Sequence, residues 1–168
     1  MTNRIATTRE QSDRLLKCGM SAESADMCCQ FIDDCVNNTG KPICSTPKEQ
    51  YNTLIGYGFG DSRIHITPAW SLSALLGLLP KTISDFWMTK WYDPTADGFV
   101  ICDKETPYLL SGDFQLLHIG GGKYQVEYDW DGFQGRLPQS DNPIEACVLA
   151  IELLTANGYA LNGIEKGV

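Results

Sequence analysis

Five of the seven cysteines lie early in the chain, at Cys18, Cys28, Cys29, Cys35 and Cys44. Together with His65 they are the residues best suited to hold a soft metal ion. Zinc sites usually draw ligands in pairs two to four residues apart, and no C-x-x-C occurs here. If residues 21–36 form a helix, Cys28 and Cys35 share a face two turns apart, ~10 Å at 1.5 Å per residue. One ion does not span that gap without ligands from elsewhere. The cysteines therefore read as small apolar packing groups, and neither a metal nor another cofactor is expected. Nucleophilic chemistry by a Cys–His pair, such as Cys44 with His65, needs a spatial contact that spacing does not supply. No G-x-S-x-G, H-E-x-x-H or paired-carboxylate signature accompanies the two histidines, His65 and His118.

The aromatic residues offer a different chemistry. Phe86, Trp87, Trp91 and Tyr92 crowd one segment beside Lys90. In a strand, Trp87 and Trp91 would share one face and Phe86, Met88, Lys90 and Tyr92 the other. Tyr57 and Phe59 sit between glycines in Gly56-Tyr57-Gly58-Phe59-Gly60. That spacing lacks the strand before and the helix after that a dinucleotide fingerprint needs, so it reads as a flexible loop with two rings. Large exposed aromatics are typical binding hot spots. Trp87, Trp91, Tyr57 and Phe59 are thus the candidate surface for an unknown protein partner.

Other motifs dissolve on inspection. Gly120-Gly121-Gly122-Lys123 leads into a strand rather than a helix, which makes it a turn and not a phosphate loop. The twelfth place of a calcium loop begun at Asp93 is Lys104, where a carboxylate is required. Two expected helices joined by Cys18-Gly19-Met20-Ser21 imitate a helix-turn-helix, yet no Lys or Arg occurs from Met20 to Gly40. Lys+Arg 13 against Asp+Glu 21 gives the 168 residues a net charge of −8. Phosphate repulsion would then oppose DNA binding, and no nucleic acid is expected. The 43% apolar content suits a folded domain. No N-terminal run has the order of a signal peptide, and the apolar stretch Leu72–Leu79 is too short for a membrane span. The expected setting is cytosolic.

The elements that must position these residues read as one domain over 1–168. Residues 1–6 form a loose tail and 7–36 a helical hairpin. Thr7 caps the first helix with Glu10 as capping-box partner, and Gly19 ends it. Ser21 caps the second helix, with Ala25, Cys28, Cys29, Ile32, Cys35 and Val36 on its apolar face. Residues 37–66 are irregular, with a short strand over Arg63–Thr67. Thr67-Pro68 caps a Leu-rich helix over Ala69–Leu79 that stops before Pro80. Strands follow over Phe86–Tyr92, Phe99–Cys102, Phe114–Ile119 and Tyr124–Trp130, the last two joined as a hairpin. A final helix begins at Asn142-Pro143 with Glu145 completing a capping box, and ends at Asn157-Gly158. The predicted class is α+β: an antiparallel sheet of about four strands with the N-terminal helical hairpin, the central Leu-rich helix and the C-terminal helix packed on it.

Three segments carry a resemblance: Thr8 to Leu16, with its Thr-Arg-Glu-Gln opening; Pro68-Ala69-Trp70-Ser71-Leu72-Ser73; and Asp141-Asn142-Pro143-Ile144-Glu145-Ala146. The chain resembles short uncharacterised proteins of gut Bacteroidales bacteria and their phages or mobile elements. That family has no assigned activity, so the resemblance implies a bacterial cytosolic setting and an accessory role on mobile DNA, and transfers no site residue. The combined expectation is a non-catalytic interaction domain. Two alternatives stand beside it: a small enzyme using Cys or His chemistry, and an acidic decoy for a DNA-handling protein.

Overall fold

The computed structural model describes residues 5–32, 41–81, 90–93, 98–101, 114–128 and 138–162, with backbone pairing alone described over 90–93 and 98–101. The first element is helix α1, Arg9–Lys17. Its N-cap is Thr8, one residue later than the sequence suggests. The Thr8 side chain accepts from the Gln11 backbone, and the Gln11 side chain accepts from the Thr8 backbone at 2.8 Å. Thr7 is displaced from the cap because it is buried and serves the core. Gly19, at φ 85°, ends α1 as expected.

The expected second helix does not form. A single 3-10 turn over Ala22–Ser24 leads into strand β1, Met27–Ile32. β1 is the middle strand of an antiparallel sheet, between β2 (Pro42–Ile43) and β3 (Ile64–Ala69). Its register sets Met27 opposite Ala69 and Ile32 opposite Ile64. Met27 and Cys29 pack with Ala6 and Ala69, with Phe31 at the margin. On the other face Gln30 accepts from Gln50 at 2.6 Å, which ties β1 to helix α2, Pro47–Gly56. A strand covered on both faces has no polar alternation, so its apolar residues fit a helical period equally well.

α2 lies inside the stretch expected to be irregular. Thr46 caps it, Pro47 opens it, and Glu49 completes a capping box. The next expected helix also starts later than predicted. Thr67 and Pro68 belong to β3, where pairing with β1 holds them extended. Proline tolerates an edge strand, and β3 is one. Helix α3 spans Leu72–Leu78 with Ser71 as N-cap. Leu79 is extended at ψ 135°, as the following Pro80 requires.

The expected four-strand meander is divided. β4 (Lys90–Asp93) pairs with β5 (Gly98–Ile101) as a two-stranded ribbon. β6 (Phe114–Ile119) pairs with β7 (Lys123–Tyr128) through the triple-glycine turn, as predicted. β8 (Gln139–Ser140) adds a third strand beside β7. Helix α4, Pro143–Ala156, lies against β7, α1 and α3. The class is mixed α+β, with two three-stranded antiparallel sheets and a ribbon among the described residues.

The main core gathers Leu15, Trp70, Leu75, Leu79, Val126, Cys147, Ile151 and Leu154, among others. α4 supplies most of one wall, because Ile144, Cys147, Val148, Ile151 and Leu154 recur at helical spacing and all are buried. Trp70 is fully buried, and its ring N–H donates to the Ser24 hydroxyl at 3.0 Å. Among the described residues no buried side-chain nitrogen or oxygen lacks a partner.

Candidate functional site

Of the four aromatic candidates, Tyr57 and Phe59 are well placed by the backbone. Tyr57 is the C-cap of α2, and Gly58 follows at φ 84°. The Gly58 N–H donates to the Ile55 carbonyl at 2.9 Å and the Phe59 N–H to the Leu54 carbonyl at 3.2 Å. This paired closure is a Schellman motif, and the left-handed residue it requires is most often glycine. The expected flexible loop is therefore a fixed helix terminus. α1 and α4 close in the same way, through Gly19 and Gly158.

The closure holds Phe59 half-buried and leaves Tyr57 78% exposed. Two further exposed apolar side chains stand on α2 itself, Tyr51 at 37% and Ile55 at 41%. They are four residues apart and so lie one turn above the other on the same helical face. The Tyr51 hydroxyl donates to an Asp61 carboxylate oxygen at 2.6 Å, which fixes the ring and raises the phenol above its ordinary pKa. The opposite side of α2 is anchored by buried Leu54 and by the Gln50–Gln30 bond. α2 thus carries two exposed apolar spots, Tyr51 with Ile55 along one face and Tyr57 at the C-cap. Tyr51 and Ile55 were missed in the sequence because α2 itself was missed. The signal was present in Thr46-Pro47-Lys48-Glu49, a cap, a proline and an acid at N3.

Trp91 stands elsewhere. Trp91 lies on β4 opposite Val100, and β4 approaches α4 rather than α2. Trp87 lies outside the described residues.

The thiols are arranged for packing. Burial pushes Cys28 up to about 11, with Cys29 adding to it, and burial pushes Cys147 up to about 12. Burial likewise raises Cys29 and Cys18, Cys18 with help from Glu152 and against Arg14. A raised thiol keeps its proton and is a poor nucleophile. Cys44 is exposed. It follows Ile43, which pairs with Cys28, whereas His65 pairs with Phe31 on the far side of β1. Three residues along the strand and two strand spacings separate Ile43 from His65 by roughly 14 Å. The register therefore keeps the Cys44–His65 pair apart. His118 is exposed and tilts against Tyr124, ring centroids 4.9 Å apart. Among the described residues no group of three His, Cys, Asp or Glu is placed to hold a metal ion. No described helix is long and apolar enough to cross a membrane.

A second polar cluster joins the first and last helices. Arg14 donates through Nε and Nη2 to the two oxygens of Glu152, at 2.8 and 2.5 Å. Its Nη1 reaches Glu145 at 2.6 Å, and the Gln11 amide also donates to Glu145. The Glu145 side chain is thus turned toward α1. At the α4 N-terminus the Asn142 side chain accepts from the Ile144 N–H instead, and the expected capping box is not the contact made there. With every acceptor facing a donor, the cluster reads as a clamp.

Comparison with protein-family models, curated proteins and solved structures finds no match.

Proposed function

We propose that this chain is a non-catalytic interaction domain that engages a protein partner through the C-terminal end of α2. The observation that supports the reading is Tyr57, 78% exposed at a helix terminus closed by two backbone hydrogen bonds. A tyrosine offers large apolar area and a polar tip at small entropic cost when already held. Tyr51 and Ile55 add exposed apolar area on a separate face of the same helix. The partner suited to it presents an apolar pocket for the Tyr57 ring with a hydrogen-bond acceptor at its base. An accessory role on mobile DNA belongs to this proposal through the Pro68–Ser73 resemblance alone. The enzyme alternative is weakened by the raised thiols and by the separation of Cys44 from His65.

The test uses the intact tagged protein as bait in host lysate treated with nuclease, beside Tyr57→Ala and Ile55→Asp. Both side chains are exposed, so both variants are expected to fold. A stoichiometric protein retained by the parent and weakened at least ~10-fold by each change is the expected result. A partner held equally well by all three proteins would place the docking surface elsewhere.

A further inference from the structure

The described α-helices do not end alike. α1, α2 and α4 each close on a left-handed glycine just past the cap, Gly19, Gly58 and Gly158. α3 has Pro80 in that place, and proline has no N–H to return to the helix. Closing donors come instead from far along the chain. The Asn162 backbone N–H donates to the Leu78 carbonyl at 2.9 Å. Its side-chain Nδ2 donates to the Gly77 carbonyl at 3.2 Å and to the Leu79 carbonyl at 3.3 Å. Carbonyls at a helix end have no partner within the helix. Just before this contact, Tyr159 packs on the main core and Leu161 is buried in it. Residues 159–162 thus form a strap over the end of α3, and one side-chain amide fastens it. Asn162 is exposed, and the residue after it in the sequence is Gly163. Asparagine loses its amide most readily before glycine, which brings no side chain to hinder its backbone nitrogen.

We infer that Asn162 is a site of spontaneous deamidation, and that the change unfastens the strap. The Gly163 backbone nitrogen attacks Asn162 Cγ. A C–N bond forms, the Cγ–Nδ2 bond breaks, and ammonia leaves with the proton that the attacking nitrogen carried. Water then opens the succinimide ring to aspartate or isoaspartate, so the balance is one water in and one ammonia out. Ammonia is lost to solvent, and the step runs one way. The product carries a carboxylate where the amide stood. It has no N–H to donate, and its charge would face the carbonyl oxygens of Gly77 and Leu79. The chain holds a second Asn-Gly, Asn157-Gly158, which serves as an internal reference. There the Gly158 N–H donates to the Thr155 carbonyl at 2.9 Å, and the Asn157 amide donates to the Leu153 carbonyl at 2.8 Å. Asn157 is also half-buried. Reaction at Asn157 requires the end of α4 to open. The Asn162 amide is held by two longer bonds on an exposed side chain.

Peptide mass mapping of the full chain, kept folded at mildly alkaline pH, tests the modification. Asn162 should convert at least ~10-fold faster than Asn157, the protection that one or two hydrogen bonds give. In urea the two rates should converge, which assigns the difference to the fold. Limited chymotrypsin cleavage after Tyr159 and Leu161 reads the strap. Asn162→Asp, which stands for the product, should be cut at least ~10-fold faster than the parent. Equal rates at the two asparagines in the folded chain, or a slower rate at Asn162, would overturn the assignment of the site. Cleavage of Asn162→Asp at the parent's rate would show that the carboxylate does not unfasten the strap. If that variant fails to fold, the two rates in the parent still decide whether Asn162 is the site.

Discussion

Arg14 shows how one side chain settles the relation between distant parts of a chain. It spans 131 residues to Glu145 and 138 to Glu152. The Glu152 hydrogen bond does most to hold its proton, raising it above the ordinary guanidinium value despite partial burial. About a quarter of each side chain stays exposed, 27% for Arg14 and 24% and 23% for the glutamates. Water therefore screens the clamp in part. Arg14→Ala should cost ~1–2 kcal/mol in urea unfolding, because two carboxylates would then face α1 with only Gln11 as donor. Glu152→Gln in the Arg14→Ala background should cost less than in the parent, the signature of coupled residues. Equal costs in both backgrounds would mean the clamp carries no coupling. None of this was legible from Arg14 alone, since its spacing to Glu145 and Glu152 is a property of the fold.

Among the elements, those read correctly had their signals close together along the chain. α1 ends at Gly19, the β6–β7 hairpin turns on three glycines, and α4 starts at Asn142-Pro143. Each depends on neighbours within a few residues. β1 was misread because both its faces are buried, one by the Ala6 and Ala69 cluster and one toward α2. Those covers come from other parts of the chain, so the local pattern of Ala25, Cys28, Cys29 and Ile32 had nothing to oppose a helix. Thr67-Pro68 was misread because the fixed φ of proline serves an edge strand as well as a first helical turn. In the candidate site, Tyr57 and Phe59 were visible as residues, while the helix that makes them a surface was not. The one-residue difference at the α1 cap can be measured. Thr8→Ala should cost ~1 kcal/mol, the loss of a capping side chain. Thr7→Val should cost more, since Thr7 is buried, its hydroxyl accepts the Trp70 backbone N–H at 3.0 Å, and it meets Ser12 at 2.8 Å. A smaller loss at Thr7 than at Thr8, by thermal or urea unfolding, would reverse that ordering.

For the whole molecule, the buried acids set an alkaline limit. Cys147 must stay protonated among Val148, Ile151 and Leu154, and its thiol is pushed up to about 12 from 9.0 by burial. Below pH 9.0 the folded and unfolded chains both keep this proton, and stability does not depend on it. Above that value the unfolded thiol ionises while the folded one does not, so stability falls as pH rises toward about 12. Cys28, raised to about 11, and Tyr128, raised by burial with Tyr159 and Cys147 adding, act in the same direction. Cys147→Ala should make the decline shallower by up to ~1.4 kcal/mol per pH unit, read from urea midpoints between about pH 8 and 11. An unchanged slope would show that Cys147 is not among the groups responsible. The pairing of α1 with α4 also has a consequence in time. A ribosome makes Arg14 and Leu15 well before their partners on α4. At ~5–20 residues per second, the 131 residues between Arg14 and Glu145 take roughly 7 to 26 s. Throughout that interval α1 can lie against β3 and Trp70 but lacks the wall that α4 supplies. Newborn chains are thus open to holding chaperones through that interval, and the core closes only once α4 has been made.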